Sequence, residues 1–291
     1  MIRLPSLVLF AALVACAPSP PPPPAAPPVW RVEQGETTVY LFGSAHALTP
    51  ETTWRSPALE EALVDAELVL FEIAPGAAQS ETTQALFAGL GRNPPGIMLS
   101  AQLSGDDAVR LRRVAERLSL PLDVLETMRP WAAAQQIALA SALAQGVRPE
   151  LGVEAVLAQD LGGRPAAGLE TPEQQLQVLA TLSPERERRL LSLTLEQAET
   201  NPGQAIDAEA LWARGDTAAI ATLSREAFLG LDQAFYDAMI TDRNRAFAEA
   251  AAGRLTGADD DVLIVVGAAH LGGPDGVVAM LRAQGYAVEG P

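Results

Sequence analysis

The chain has 291 residues and a formal net charge of −16, from 20 basic and 36 acidic side chains. Every basic residue is arginine, so no lysine is present to form a Schiff base or to serve a phosphate-binding loop. An acidic chain without a basic patch also argues against nucleic acid as a partner.

Residues 1–15 are predicted to be a bacterial lipoprotein signal peptide. Arg3 precedes an apolar stretch that is too short to span a membrane as a mature helix, and Leu13-Val14-Ala15-Cys16 follows. This ending is similar to the lipoprotein signals in which the cysteine becomes the lipidated first residue. The alternative is a buried free cysteine. Cys16 is the only cysteine, so the mature chain has no internal disulfide.

Residues 16–28 are predicted to form a lipidated cysteine and a proline-rich tether. The sequence APSPPPPPAAPP favours an extended, semi-rigid spacer over an SH3-type ligand. Ala17 follows the cysteine, which in a Gram-negative cell favours the periplasmic face of the outer membrane. We therefore expect an exported, lipid-anchored protein whose folded domain comprises residues 29–291.

The folded domain is predicted to begin with a hairpin. Residues 30–33 and 37–42 have strand character, and Gln34-Gly35-Glu36 between them indicates a turn. The second strand leads into Gly43, Ser44 and, three residues after the glycine, His46. Residues 56–66 then show the apolar spacing of a helix.

Residues 67–73 are predicted to form a buried strand that contains an acid near its carboxyl end. Glu72 interrupts the otherwise apolar run Leu-Val-Leu-Phe-Glu-Ile. A buried carboxylate costs several kcal/mol unless it is paired or binds a cation. The alternative is a strand that has already ended, with Glu72 in solvent.

The two histidines of the chain share one local pattern. The five apolar residues 262–266 indicate a strand, Gly267 follows, and His270 comes three residues later, as His46 does after Gly43. Ligands and catalytic groups of open α/β sheets gather beyond the carboxyl ends of the strands. We therefore expect the two imidazoles to lie within about 10 Å of each other, because ligand bonds are about 2 Å long. The alternative is two structural histidines.

The middle of the chain is predicted to be mainly helical. One further strand is expected at residues 164–169, just before Glu170, and a helix at 275–284 precedes a last strand at 286–289. The fold class is therefore α/β, with a central sheet formed from the N- and C-terminal parts of the chain. The large helical middle segment should cover the edge of the sheet that carries the site.

These motifs in this order resemble the TraB/PrgY/GumN family, which includes the Tiki-like proteases. The resemblance rests on both Gly-x-x-His units, Glu72, GLETPEQQ at 168–175, Arg243-Asn244, and GAAHLGG with a later GYAV. It implies a fold related to erythromycin-esterase-like and haem-uptake ChaN-like proteins. It also implies a site of His46, Glu72, Arg243 and His270, supported by Gly43, Ser44, Glu154, Glu170, Asn244 and Gly267. Glu154 stands where the family often has aspartate.

The residue types suggest a metal-dependent hydrolase. His46, Glu72 and His270 could bind a divalent transition metal such as Mn, Co or Zn. Such a metal lowers the pKa of a bound water and generates a hydroxide nucleophile. Arg243 could then hold a developing oxyanion or a substrate carboxylate. The expected substrate is a peptide or another small molecule of the cell envelope.

Two other hypotheses remain open at this point. In the first, one histidine acts as a general base without a metal, and Glu72 orients it. In the second, the protein is a non-catalytic envelope receptor for a peptide, haem or a metal. The sequence does not separate binding a peptide from cutting it.

Overall fold

The computed structural model describes residues 26–257 and 260–291, and the predicted signal peptide and most of the tether lie outside them. Six strands occur in these ranges, and each overlaps one of the six predicted strands. They are β1 (Val29–Gln34), β2 (Thr37–Ser44), β3 (Leu68–Ile73), β4 (Ala166–Glu170), β5 (Val262–Gly267) and β6 (Val288–Glu289).

The strands form one mixed sheet with the order β4-β3-β5-β2-β1-β6. Strands β2 to β5 run parallel, β1 pairs antiparallel with β2, and β6 pairs antiparallel with β1 at the edge of the sheet. The strand that precedes His270 therefore lies between the strand that carries Glu72 and the strand that precedes His46. Ser44 pairs in register with Gly267, so β2 and β5 end at the same level. This topology brings the two Gly-x-x-His units to one edge.

The central strands form because both of their faces are covered. Every residue of β2 and of β5 is buried, which matches their nearly continuous apolar sequences. On one face they pack against Phe247, Ala251 and Leu281. On the other face they pack against Leu59 and Leu157, among others.

Five helices in the described ranges begin after a serine or threonine that caps them. In each case the side-chain hydroxyl accepts a hydrogen bond from a backbone N–H of the first turn; the capping residues are Ser56, Ser80, Ser104, Thr171 and Ser183. The helices are α1 (Pro57–Asp65), α2 (Glu81–Leu90), α3 (Gly105–Arg117), α4 (Leu122–Glu126), α5 (Pro130–Ala144), α6 (Val153–Asp160), α7 (Pro172–Ala180), α8 (Pro184–Thr200), α9 (Gln204–Ala213), α10 (Thr217–Leu229), α11 (Gln233–Tyr236), α12 (Asp242–Gly257) and α13 (Val277–Ala283).

Short helical turns connect some of these elements. A π-helical segment, Asp237–Thr241, joins α11 to α12, and 3₁₀ turns occupy Ser100–Gln102, Pro149–Leu151 and Ala268–His270. The last helix begins at Val277 and not at residue 275, because turns around Gly273, whose φ is 77°, precede it. Within residues 26–257 and 260–291, no helix combines the length and apolar character needed to cross a membrane.

The middle segment is helical and reaches the carboxyl edge of the sheet, as predicted. Helices α3, α4, α5 and α8 build a separate hydrophobic core, which includes Leu111, Ile137 and Leu191. Helices α7 and α9 place Gln175 and Trp212 against the strand ends, where they hydrogen-bond to Glu72 and Gly43. The α/β fold class is therefore confirmed.

Candidate functional site

His46 follows β2 and is held by the first turn of α6. Its Nδ1 lies 2.7 Å from Oε1 of Glu154, which also accepts a 2.5 Å hydrogen bond from the hydroxyl of Ser44. A Cβ at Gly152 would clash with the carbonyl oxygen of His46, so only glycine allows α6 to approach this closely. The imidazole stays open to solvent, with 68% of its side chain exposed.

Glu72 is buried in β3, as its position in an apolar run predicts. Its Oε2 accepts a 3.1 Å hydrogen bond from the backbone N–H of Gly267. Its Oε1 accepts a 2.6 Å bond from Nε2 of Gln175 and another from the guanidinium of Arg243. The carboxylate is therefore paired, which offsets the cost of burying it.

His270 ends the 3₁₀ turn after β5 and is buried. Its Nδ1 lies 2.6 Å from Oδ1 of Asn244, whose Nδ2 donates a 2.6 Å hydrogen bond to the carbonyl of Asp275. This network assigns the proton of the neutral ring to Nδ1. The lone pair on Nε2 then faces Oε2 of Glu72 at 3.8 Å.

The two imidazoles and the carboxylate converge around Gly267. A Cβ placed on that glycine would lie 3.5 Å from each of three atoms: Nε2 of His46, Oε2 of Glu72 and Cδ2 of His270. The nearest atoms of the two imidazoles are therefore no more than twice this distance apart. The convergence expected from the paired Gly-x-x-His units is observed in the structure.

Arg243 lies at the start of α12, with 13% of its side chain exposed. Its Nε donates to both carboxylate oxygens of Glu170, at 3.0 and 3.1 Å, and its Nη2 donates to Glu72 and to Glu170. These contacts and the low exposure distinguish it from the solvated Arg245 of the same helix, which pairs with Asp242. Arg243 thus holds the buried carboxylate of Glu72 and the partly buried carboxylate of Glu170 together.

A model of the TraB/PrgY/gumN family matches residues 28–290. The chain belongs to this family. No curated protein and no solved structure shows a significant similarity to it. The match covers nearly the whole chain and agrees with the resemblance that the two Gly-x-x-His units suggest.

The two histidines of this TraB/PrgY/gumN family member differ in protonation. The protein around His46 partly desolvates the ring, although the side chain is open to solvent, and this lowers its pKa; the charge and hydrogen bond of Glu154 outweigh that effect and raise the pKa to about 9. Burial lowers the pKa of His270 to about 4 despite the opposing charge of Glu72. Burial opposes ionisation of Glu72, but His270, Arg243 and His46 outweigh burial and lower its pKa to about 2. At neutral pH, His46 is therefore a cation and His270 a neutral base.

Two imidazole nitrogens and a carboxylate oxygen are ligand types that divalent transition metals bind. Metal-binding histidines usually donate one ring N–H to an oxygen and bind the ion with the other nitrogen. Both Nδ1 atoms here contact an oxygen, of Glu154 or Asn244, while Nε2 of His46 approaches the convergence point and Nε2 of His270 faces Glu72. Within the described ranges, no three His, Cys, Asp or Glu side chains already stand close enough to bind a common ion. An ion would have to displace the proton of His46.

Two side chains support the site in ways that sequence reasoning did not identify. Gln175 bridges Glu72 and Glu170, with Nε2 at 2.6 and 2.8 Å from their Oε1 atoms. Trp212 is buried and donates from Nε1 to the carbonyl of Gly43 at 2.8 Å, which fixes the end of β2. Gln175 lies within the GLETPEQQ motif, which was a usable signal, whereas nothing local distinguishes Trp212.

Proposed function

We propose that this protein is a cell-envelope hydrolase of peptidase type that uses a divalent transition metal bound by His46, Glu72 and His270. The observation that carries the proposal is the convergence of Nε2 of His46, Oε2 of Glu72 and the ring of His270 around Gly267. Bound there, a divalent ion would polarise a substrate carbonyl and activate water for attack.

The surrounding residues would hold these three donors in place. Glu154 and Asn244 orient the two rings through Nδ1, and Gly267 holds one oxygen of Glu72. Arg243 contributes, with the two histidines, to keeping Glu72 ionised. Because the donors of Arg243 bind Glu72 and Glu170, we assign it to positioning those carboxylates. This role replaces the expected contact with a substrate oxyanion.

The accessibility of the site supports a substrate that approaches from the side of His46. This ring is largely exposed, whereas His270 and Glu72 are buried behind it. A peptide of the envelope or another small extracytoplasmic molecule could reach the exposed ring without opening the sheet. His46 would then contact the substrate first, and His270 would lie deeper in the site.

Hydrolysis without a metal is a second candidate, and the engagement of Glu72 favours it. One oxygen of Glu72 contacts Arg243 and Gln175, and the other accepts from Gly267. These partners fix the position of the carboxylate without a metal. Nε2 of the neutral His270 would then act as a general base that takes a proton from water.

Metal content and cleavage, measured together, distinguish these possibilities. The full chain would be purified without a metal-binding tag, and metal would be quantified in the wild type and in His270→Ala. Cleavage of a peptide library would be followed with and without a chelator. About one equivalent of metal, lost together with cleavage in the variant, supports the metal-dependent hydrolase.

The other outcomes each point elsewhere. Cleavage that resists the chelator but is lost in His270→Ala would assign the reaction to the metal-free route. Metal binding without turnover of any peptide would contradict the hydrolase and favour an envelope receptor. The same preparations test all three, so no result depends on comparing different samples.

We also propose that the chain is exported and lipid-anchored at Cys16, on the periplasmic face of the outer membrane if the cell is Gram-negative. The support is the order of the basic start, the short apolar stretch, the cysteine and the proline-rich tether. Cells fed a fatty-acid probe should label the wild type and not Cys16→Ser. Label that persists in this variant would contradict the proposal.

A further inference from the structure

A cavity of about 220 Å³ lies beside the candidate site, between α10, the π-helical segment and the loop after His270. Most of its lining is apolar or lacks a side chain, and includes Ala218, Ala221, Ile240, Gly272 and Gly273. An apolar protein cavity of roughly 150 Å³ is large enough to bind benzene. This cavity therefore has room for one leucine or phenylalanine side chain.

The charged residues at the cavity neutralise one another. Nη1 of Arg225 lies 3.2 Å from Oδ2 of Asp275, and the hydroxyl of Tyr236 donates to the same oxygen at 3.0 Å. The guanidinium carbon of Arg225 also stands 5.0 Å from the centre of the Tyr236 ring. The other polar lining residues, Thr222 and Ser224, carry neutral hydroxyls. Since the charges are paired, the lining favours an uncharged and mainly apolar group.

The cavity adjoins the residues that hold His270. Ala269 lines it and directly precedes His270 in the chain. Asp275 also lines the cavity. Its backbone carbonyl accepts a hydrogen bond from Nδ2 of Asn244, and Oδ1 of Asn244 contacts Nδ1 of His270. A group bound in the cavity would therefore contact the segment that carries His270 and lie near the residues that support its Nδ1 side.

We propose that this cavity is a specificity subsite that takes an uncharged apolar side chain of the substrate, of the size of leucine or phenylalanine. The inference rests on the proposed hydrolase function of the adjoining site. It adds the substrate class, namely peptides with a bulky apolar residue beside the bond to be cut.

Binding of small probes tests the subsite without requiring turnover. Saturation-transfer NMR would compare N-acetyl-leucinamide and N-acetyl-phenylalaninamide with N-acetyl-alaninamide on the purified full chain. Ala221→Leu and Ala218→Leu should fill the cavity from two positions. Ala227→Leu, on the exposed face of the same helix and outside the lining, is the matched control.

We expect each of the two larger probes to bind the wild type and the Ala227→Leu control with the same affinity. Both probes should bind Ala221→Leu and Ala218→Leu at least tenfold more weakly. Equal binding of all three probes, or unchanged binding in both filled variants, would overturn the proposal. A cavity that prefers N-acetyl-glycine, which has a free carboxylate, and loses this preference in Arg225→Gln would be an anion site. That result would also overturn the proposal. The expected binding without cleavage of any peptide would support an apolar binding site in this cavity and refute the hydrolase, so the bound group would then belong to a ligand and not to a substrate.

Discussion

Nδ1 of His270 lies 2.6 Å from Oδ1 of Asn244, and this contact leaves Nε2 of His270 as a lone pair facing Glu72. Asn244 is completely buried, so its amide can serve this ring without competition from water. It therefore determines which nitrogen of His270 is available for chemistry.

Replacing Asn244 by aspartate should raise the pKa of His270 above its value of about 4, because a carboxylate would then contact Nδ1. The chain contains only two histidines, so their NMR titrations can be followed separately and assigned with His46→Gln. Activity should fall roughly 10- to 100-fold, as for other partners of site histidines. Asn201→Asp, on an exposed helix end, is the control. An unchanged titration of His270 would contradict the assigned tautomer.

Glu154→Gln should lower the pKa of His46 from about 9 towards its ordinary value of 6.5, because the amide carries no charge to favour the imidazolium. A pKa raised in the folded state adds stability in full below pH 6.5, and this stability is lost as the pH rises through about 9. The chain has no lysine, so this range is free of lysine titration. Urea unfolding below and above the range should show the loss in the wild type and little of it in the variant. Equal loss in both proteins would refute the pairing.

Arg243→Ala should destabilise the protein by about 3 kcal/mol, because it leaves the buried Glu72 and the partly buried Glu170 without their cation. Arg245→Ala, three-fifths exposed and paired with Asp242, should cost less than about 1 kcal/mol. Both values can be measured by urea unfolding. Similar losses in the two variants would show that Arg243 is an ordinary surface residue.

Arg243→Lys separates charge from geometry at the same position. Lysine keeps the positive charge but cannot donate to Glu170 and Glu72 from one planar fork. We expect this variant to recover part of the stability and little of the activity of the wild type. Full activity in Arg243→Lys, together with its loss in Arg243→Ala, would show that charge alone is required.

On the proposed metal-dependent function, Gly267→Ala should abolish metal binding and cleavage while leaving the fold intact. The backbone at Gly267, with φ −50° and ψ 136°, is allowed for alanine. The added methyl would lie 3.5 Å from atoms of His46, Glu72 and His270, which is ordinary contact, yet it would fill the space between them. Gly253→Ala, where a Cβ meets nothing within 4 Å, is the control. Normal metal content in Gly267→Ala would place the ion elsewhere.

Much of the fold could be predicted from the sequence, because its signals are local. The apolar runs around Val265 and Phe71 indicate buried strands whatever surrounds them. The glycine three residues before each histidine sets the end of a strand, and parallel strands end at a common edge. Glu72 in an apolar run requires a partner for the same physical reason in any fold.

The partners themselves were decided by the tertiary structure. His46 and Glu154 are 108 residues apart, and Glu72 and Arg243 are 171 residues apart, so no local pattern relates them. Two histidines in the same Gly-x-x-His context consequently acquire opposite protonation. His46 is open to solvent beside the carboxylate of Glu154, whereas His270 is buried against the amide of Asn244 and stays neutral. This difference arises because α6 and α12, which carry Glu154 and Asn244, pack against the same edge of the sheet.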